Sequence, residues 1–285
     1  MGRLVYINSK FVREDEAYIS IFDRGFLFSD AIYEVTAVID KKLVSWAEHL
    51  VRLRYSLKEL NIKFSYTDDE LLSIHKKLIE QNNVNEGLVY LQISRGKAER
   101  DFAFPYPEVE PTIVLFTQKK DIINNQKVKS GAKVISSSDL RWGRADIKTV
   151  QLLYASMMKQ KALDLGKDDV WFVNNKLITE GSSNNTFILS KNGTLITRSL
   201  SPKILSGITR KSILQYAKSA KFIIKEKPFT VEDTINAKEA FSCSSTTFIM
   251  PVIEIDNSKI GNGIPGEHTL KLRQLYIKNI RKELI

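Results

Sequence analysis

The 285 residues are 43% hydrophobic and 27% charged, a balance that suits a globular chain with one large or two modest domains and excludes a disordered or fibrous one. The single cysteine, Cys243, rules out an internal disulfide framework. The opening MGRLVYINSK carries no signal-peptide core, Tyr6 breaks the N-myristoylation pattern, and no apolar run approaches a membrane span, so a cytoplasmic protein without a membrane partner is expected. The net charge of +10 is spread through the chain, with modest clusters only at 119–133 and 273–282 and no nucleic-acid motif. It reads as a solvated basic surface with no nucleic-acid partner.

Residues 1–46 read as hairpins, LVYI and KFV about Asn8-Ser9, then YEVTAVI and KLVSW about Asp40-Lys41. Between them FDRGFLFSDAIYE reads as a turn at Gly25 entering a strand. From Glu48 the spacing of Leu50, Leu53, Leu57 and Leu60 predicts a helix, with His49 and Arg52 on a different face. Arg52 is either a solvated helix arginine or a planar fork for a phosphate. Thr67 to Glu70 is a capping box that opens a second helix. LVYLQIS and TIVLFTQ are strands, joined by a long loop from Arg95 to Pro107 rich in arginine and aromatics, which suits either a substrate-reaching loop or a structural one.

The polar stretch 119–133 marks a domain boundary, giving a first domain over 1–120, a linker over 121–132 and a larger domain over 133–285. After a strand near 133–136 the chain reaches DIKTVQLL, and the run after Lys148 predicts a helix closed by Gly166 with Val150, Leu153 and Met157 on one side. VWFV, KLITE and TFILS read as a meander with turns at Asn174-Asn175 and Asn192-Gly193. SPKILSGITRKSILQYAK opens another helix, whose Gly207, Ile208 and Thr209 offer first-turn amides to an anion unless Thr209 is a plain N-cap. The hydroxyl-rich turn SCSSTTF follows, and a helix from about His268 closes the chain. The three histidines, His49, His75 and His268, fall in no metal-ligand spacing, so no metal is expected.

Lys148 sits between an aspartate and an apolar run, and Glu180 follows at a strand end in ITEGSSNN. Taken alone, each is a solvated charge. Together they point to pyridoxal 5′-phosphate. That cofactor needs an amine to hold its aldehyde as an imine, a carboxylate for its ring nitrogen and donors for its phosphate. A free lysine amine has a pKa of roughly 10.4 and needs help toward its neutral form.

FDRGFLFSDAIYEV, EHLVRL, YLQISRG, DIKTVQLL, TEGSSNN, ILSGITR and STTFIMPVIEID occur in an order and spacing that resemble the class IV, or fold type IV, pyridoxal-phosphate aminotransferases, most closely the D-amino-acid branch. The resemblance spans nearly the whole chain and implies an α/β (α+β) homodimer, each subunit with a small α/β domain and a larger pseudo-barrel domain. It implies that Lys148 forms the imine and shuttles the proton, and that Glu180 pairs with the pyridine nitrogen. Arg52, the amides of Ile208 and Thr209, and Ser245 with Thr246 would hold the phosphate. Leu205 would pack on the ring, Ser183 and Asn184 would lie near its polar edge, and Tyr33 near the substrate. Arg100 matches an arginine that traps the substrate carboxylate, with Arg95 as a helper, while Phe102 stands where the best-known D-amino-acid enzymes carry a histidine. The expected reaction is ping-pong transfer from a D-amino acid such as D-alanine to a 2-oxo acid. 4-Amino-4-deoxychorismate lyase and branched-chain or amine transamination are the alternatives on the same fold. Tyr33-Glu34-Val35 in place of an FEG-like sequence argues against the branched-chain branch.

Overall fold

Two-residue turns fold the chain back on itself with both residues at positive φ, the geometry whose twist matches paired strands. They are Asn8-Ser9 (43° and 72°), Asp40-Lys41 (53° and 62°), Asn175-Lys176 (51° and 66°) and Asp256-Asn257 (48° and 65°). The structure, a computed structural model, describes residues 2–285. The third turn lies one residue beyond the expected Asn174-Asn175, because Asn174 still pairs with Leu177.

The chain divides into two units. One comprises Met1–Asp121, Ile147–Gln151 and Glu283–Ile285, and the other Ile122–Asp146 and Leu152–Lys282. The segment 121–132, expected as linker, contains a short helix, α4 (Lys127–Ser130), and runs into a strand at Ala132.

In the first unit the strands are β1 (Leu4–Ile7), β2 (Lys10–Arg13), β3 (Ala31–Ile39), β4 (Lys42–Leu43), β5 (Glu86–Ser94) and β6 (Thr112–Lys119). They form one sheet in the order β2-β1-β6-β5-β3-β4, antiparallel throughout. The expected turn at FDRGFLFSD is a short helix, α1 (Arg24–Phe28), because the Asp23 side chain accepts from the Gly25 amide and caps it. The expected strand KLVSW ends at Leu43, and Trp46 already belongs to α2 (Trp46–Glu59). Leu50, Leu53 and Leu57 of α2 are buried as their spacing predicts, and so are Leu71 and Leu78 of α3 (Asp68–Gln81), whose Thr67/Glu70 capping box is formed on both sides. The C-terminal residues pair back onto this unit through Leu43 N–H to Ile285 O (2.9 Å) and Ile285 N–H to Leu43 O (3.2 Å).

In the second unit the strands are β7 (Ala132–Ser138), β8 (Asp169–Asn174), β9 (Leu177–Gly181), β10 (Asn185–Leu189), β11 (Thr194–Thr197), β12 (Ile223–Glu226), β13 (Glu239–Ser244), β14 (Phe248–Ile255) and β15 (Ser258–Lys259). Their order is β12-β11-β10-β13-β14-β7-β8-β9, with β15 on β14. TFILS therefore does not complete a meander. β9 pairs with β8, whereas β10 crosses to β11 and β13, where Phe187 stacks on Phe241 at 4.8 Å between ring centres. β10, with the sequence NTFIL, is buried at every position, so no alternation of its residues names its partner. The helices are α5 (Leu153–Asp164), α6 (Ile208–Ser219), α7 (Val231–Ile235) and α8 (Glu267–Ile280). α5 begins five residues after Lys148, and its inward residues are Ala155 and Ala162, while Leu153 and Met157 are exposed. The expected stripe thus lies on the wrong side of the helix, because small residues take the close packing against Val170 and Phe172.

One buried carboxylate caps α8. Glu239 accepts from the backbone N–H and ring Nδ1 of His268 (3.1 and 2.8 Å) and from the backbone N–H and hydroxyl of Thr269 (2.7 and 2.8 Å). Gly266 leaves room for it, since a Cβ there would fall 2.0 Å from the Glu239 carboxyl carbon. Burial alone would raise the Glu239 pKa, but the donors from Thr269 and His268 bring it below its usual value. A depressed carboxylate stabilises the fold above its unfolded pKa, roughly 4.3, and that stability is lost as pH falls through the folded value. Glu239→Gln is therefore expected to lower stability at pH 7 by about 1.5–3 kcal/mol, and the gap from the parent protein to close as pH falls below about 4. Thermal unfolding of both proteins across pH 3–7 tests this; a gap of constant size would refute it.

Candidate active site

In the first unit the segment Ile147–Gln151 lies along β3 as a short antiparallel run. Tyr33 N–H donates to Lys148 O (2.9 Å), Val150 N–H donates to Ala31 O (3.1 Å), and Thr149 bridges Ile32. The Lys148 amide donates to the Ser56 hydroxyl of α2 at 3.4 Å. Lys148 is thus held by its own backbone on a rigid strand, and its ammonium stands 4.1 Å from the centre of the Tyr33 ring, a cation–π contact. Tyr33 in turn stacks on Tyr90, and Tyr90 on Phe116.

Strand alternation turns Glu34 to the opposite face from Tyr33, toward α2. There Arg52 Nε and Nη2 donate to its two oxygens (2.7 and 2.8 Å), and His49 Nδ1 lies 2.7 Å from Oε2. Arg52 is therefore not the solvated helix arginine that its polar face allowed, since its side chain is buried in a two-pronged ion pair. Burial pushes Glu34 up, but Arg52 and then His49 hold it well below the usual carboxylate range. Burial also lowers the His49 pKa, against the opposing pull of Glu34. An ionised carboxylate only accepts, so the neutral imidazole carries its proton on Nδ1 and donates. Glu34 was invisible as a site residue in the sequence. The signal that could have found it is its period-2 position facing the His49 and Arg52 pair, spaced i, i+3.

The loop carrying Arg100 is pinned at its root. Asp30 accepts from Arg95 Nε and Nη2 (2.7 and 3.0 Å) and from Arg24 Nε (2.8 Å), while Arg24 Nη1 donates to the carbonyls of Asp101 and Ala103 (2.7 and 3.2 Å). Arg95 also donates to Leu60 O and Asn61 O. It is a structural clamp, and its buried guanidinium is no helper for a substrate carboxylate. Arg100 is exposed, its guanidinium 5.5 Å from the Phe28 ring and 5.7 Å from that of Phe102.

In the second unit Glu180, 5% exposed, is the penultimate residue of β9. Its Oε1 accepts from Arg141 Nη1 (2.6 Å), and its Oε2 accepts from Asn185 Nδ2 (2.9 Å) and the Leu205 amide (3.0 Å). Asp139 grips Arg141 through Nε (2.9 Å) and Nη2 (2.8 Å) and itself accepts from the Thr179 hydroxyl (2.6 Å). The Arg141 guanidinium also lies 4.8 Å from the Phe172 ring centre. Burial raises the Glu180 pKa, and Arg141 opposes that rise. Three donors occupy three of the roughly four acceptor positions of a carboxylate, which leaves one for an N–H from outside the protein.

Asn185 is the second residue missed in the sequence. It donates to both Glu180 and Leu205 O (3.0 Å), whereas Asn184 turns its amide to Asp169 (2.7 Å) and Ser183 is exposed at the turn. Gly207 permits this arrangement, because a Cβ there would meet Asn185 Oδ1 at 1.9 Å. Gly207, and not Thr209, is the N-cap of α6; no side chain caps the helix, and its first internal bond is Lys211 N–H to Gly207 O. The amides of Ile208 and Thr209 are thus first-turn donors available to an anion. Leu205 is half-buried just before them. Ser245 and Thr246, also half-buried, form the β13–β14 turn at the end of the sheet where Cys243 stands opposite Asn185.

Pyridoxal phosphate requires an amine, a carboxylate for its ring nitrogen and donors for its phosphate; the first unit carries a lysine amine and an arginine, the second a buried carboxylate paired with a cation and an uncapped helix start, and by chemical type these residues fit it. The two sheets with their helices have the architecture of the fold type IV enzymes. The model of the amino-transferase class IV family matches residues 31–255, and the chain belongs to that family of pyridoxal-phosphate-dependent enzymes. D-alanine aminotransferase of Staphylococcus epidermidis is 35% identical over 281 residues, 99% of each chain. The branched-chain amino acid aminotransferase of Escherichia coli superposes with a TM-score of 0.91 at 22% identity, covering 98% of this chain and 94% of that one. A putative 4-amino-4-deoxychorismate lyase of Legionella pneumophila gives 0.83 at 25% identity, covering 93% and 97%.

Removing Arg141 leaves Glu180 buried without its cation, which typically costs about 3–5 kcal/mol. Arg141→Met should show that loss in urea unfolding, and adding Glu180→Gln should recover part of it, since of the two carboxylates that Arg141 serves only Asp139 then still lacks its cation. Strictly additive losses in the double variant would show the two groups to be uncoupled.

Proposed function

We propose that this enzyme moves an amino group from a D-amino acid such as D-alanine to a 2-oxo acid such as 2-oxoglutarate. The observation that carries the reading is Lys148, fixed by its backbone beside Tyr33, in a chain that aligns end to end with a D-alanine aminotransferase. When bound, pyridoxal phosphate supplies the electron sink that drains charge from the alpha carbon of the amino acid.

The protein's own groups divide the remaining work. Lys148 Nζ holds the cofactor covalently and carries the proton to and from the alpha carbon, and Tyr33 orients that amine. Glu180 accepts the ring N–H, and Arg141 keeps the carboxylate charged so that it can. Arg52, the amides of Ile208 and Thr209, and the Ser245-Thr246 turn hold the phosphate, with Glu34 fixing the angle of the Arg52 fork. Leu205 supports the ring; Asn185 aligns Glu180, and Asn184 with Ser183 shapes the turn between them. Arg100 takes the substrate carboxylate, with Phe102 offering apolar surface where a second donor is absent. A homodimer in the cytoplasm completes the reading. It is supported by exposed Ile21, Phe22, Phe26 and Phe104 on the first unit and by a single, buried cysteine.

Visible absorption of the protein loaded with pyridoxal phosphate tests the assignment. The imine band should disappear on addition of D-alanine and persist with L-leucine; the reverse would move the enzyme to the branched-chain branch. Pyruvate release from aminochorismate without an amino acceptor would make it a lyase. Lys148→Ala should form no imine band and no transamination product. Arg100→Ala should lower kcat/KM for D-alanine about 10- to 100-fold, the loss expected for one charge-assisted hydrogen bond, and Phe102→His should raise it. Unchanged kcat/KM in Arg100→Ala would remove Arg100 from the substrate site.

A further inference from the structure

The hairpin that joins β13 to β14 is strained, and a residue far along the chain holds it. Ser244 pairs with Phe248 across the turn, and the hydroxyls of Ser244 and Thr247 lie 2.8 Å apart. Phe248 adopts φ 54°, the left-handed region that is costly for a bulky residue and persists only where surrounding structure enforces it. Its ring is fully buried, 5.0 Å from that of Tyr276 on α8.

The enforcing group is Arg273 of α8, 4% exposed. Its Nη1 donates to Thr247 O (2.6 Å) and Ile249 O (2.8 Å), the carbonyls on either side of the strained residue. Its Nη2 donates to Ile122 O (2.5 Å) and Ile123 O (3.1 Å), so the same guanidinium ties the hairpin to the start of the second unit. A planar fork can serve two pairs of carbonyls at once; an ammonium cannot.

We propose that Arg273 is a positioning residue for the cofactor's phosphate group: by gripping the carbonyls that flank Phe248 it keeps the Ser245-Thr246 donors preset for a phosphate monoester. This rests on the reading above that Ser245 and Thr246 bind that phosphate. Preset donors avoid the ordering cost that a flexible turn would meet on binding. The role therefore predicts a loss confined to the phosphate-dependent part of affinity.

The test titrates the full-length chain, freed of cofactor, with pyridoxal 5′-phosphate and separately with pyridoxal, following imine absorption below the unfolding temperature of each variant. In Arg273→Met the ratio of the two affinities should fall about tenfold or more, with pyridoxal binding within about twofold of the parent protein. Arg273→Lys should show a smaller fall, and it carries the test if the methionine variant does not fold. A merely structural role would weaken both ligands together or lower only the unfolding temperature, and either result overturns the proposal. The double variant Ser245→Ala/Thr246→Ala separates the two readings. If it loses the phosphate preference while folded Arg273 variants keep it, the positioning role alone is wrong. If it keeps the preference, the phosphate assignment of the turn is wrong and the proposal falls with it.

Discussion

A carboxylate taken out of water stays ionised only while a cation and further donors replace its hydration, and each unit of this protein relies on that condition. Glu180 meets it through Arg141, Asn185 and the Leu205 amide, and Glu34 through Arg52 and His49. The two pairs differ in purpose. At Glu180 burial raises the pKa against the pull of Arg141, and the three donors leave room for one more. At Glu34 the arginine wins outright, and the carboxylate serves as a fixed anchor for the guanidinium.

Guanidinium donors are also directed at backbone carbonyls. Arg273 directs its fork at four backbone carbonyls around the β13–β14 hairpin. Arg95 and Arg24 divide theirs between Asp30 and the carbonyls of neighbouring loops. Buried arginines therefore act as struts in this protein, and its basic composition is partly structural. The net charge of +10 says little about partners when several of its guanidinium groups are used inside the molecule.

Much of the local structure was legible in the chain. The Asn8-Ser9 and Asp40-Lys41 turns, the Thr67/Glu70 capping box, the leucine stripe of α2 and the two long strands of the first sheet all follow from short-range rules. The failures have a common cause. The partners of β10, the inward face of α5 and the path of residues 147–151 are settled by contacts with distant segments, which a segment's own periodicity does not name.

By itself the sequence determined the chemistry available: a lysine between an aspartate and an apolar run, a glutamate at a strand end, a helix start at Gly207 to Thr209 that either offers its amides to an anion or is capped by Thr209, and an order of motifs that resembles one enzyme family. Only the tertiary structure decided how those groups are charged and held. Whether Arg52 is solvated or buried, whether Asn184 or Asn185 reaches Glu180, and which arginine pairs with Glu180 depend on side chains brought together from β3 and α2 or from β9, β10 and the segment after β7. Desolvation and ion pairing act through space over a few ångströms, and separation along the chain does not encode that distance.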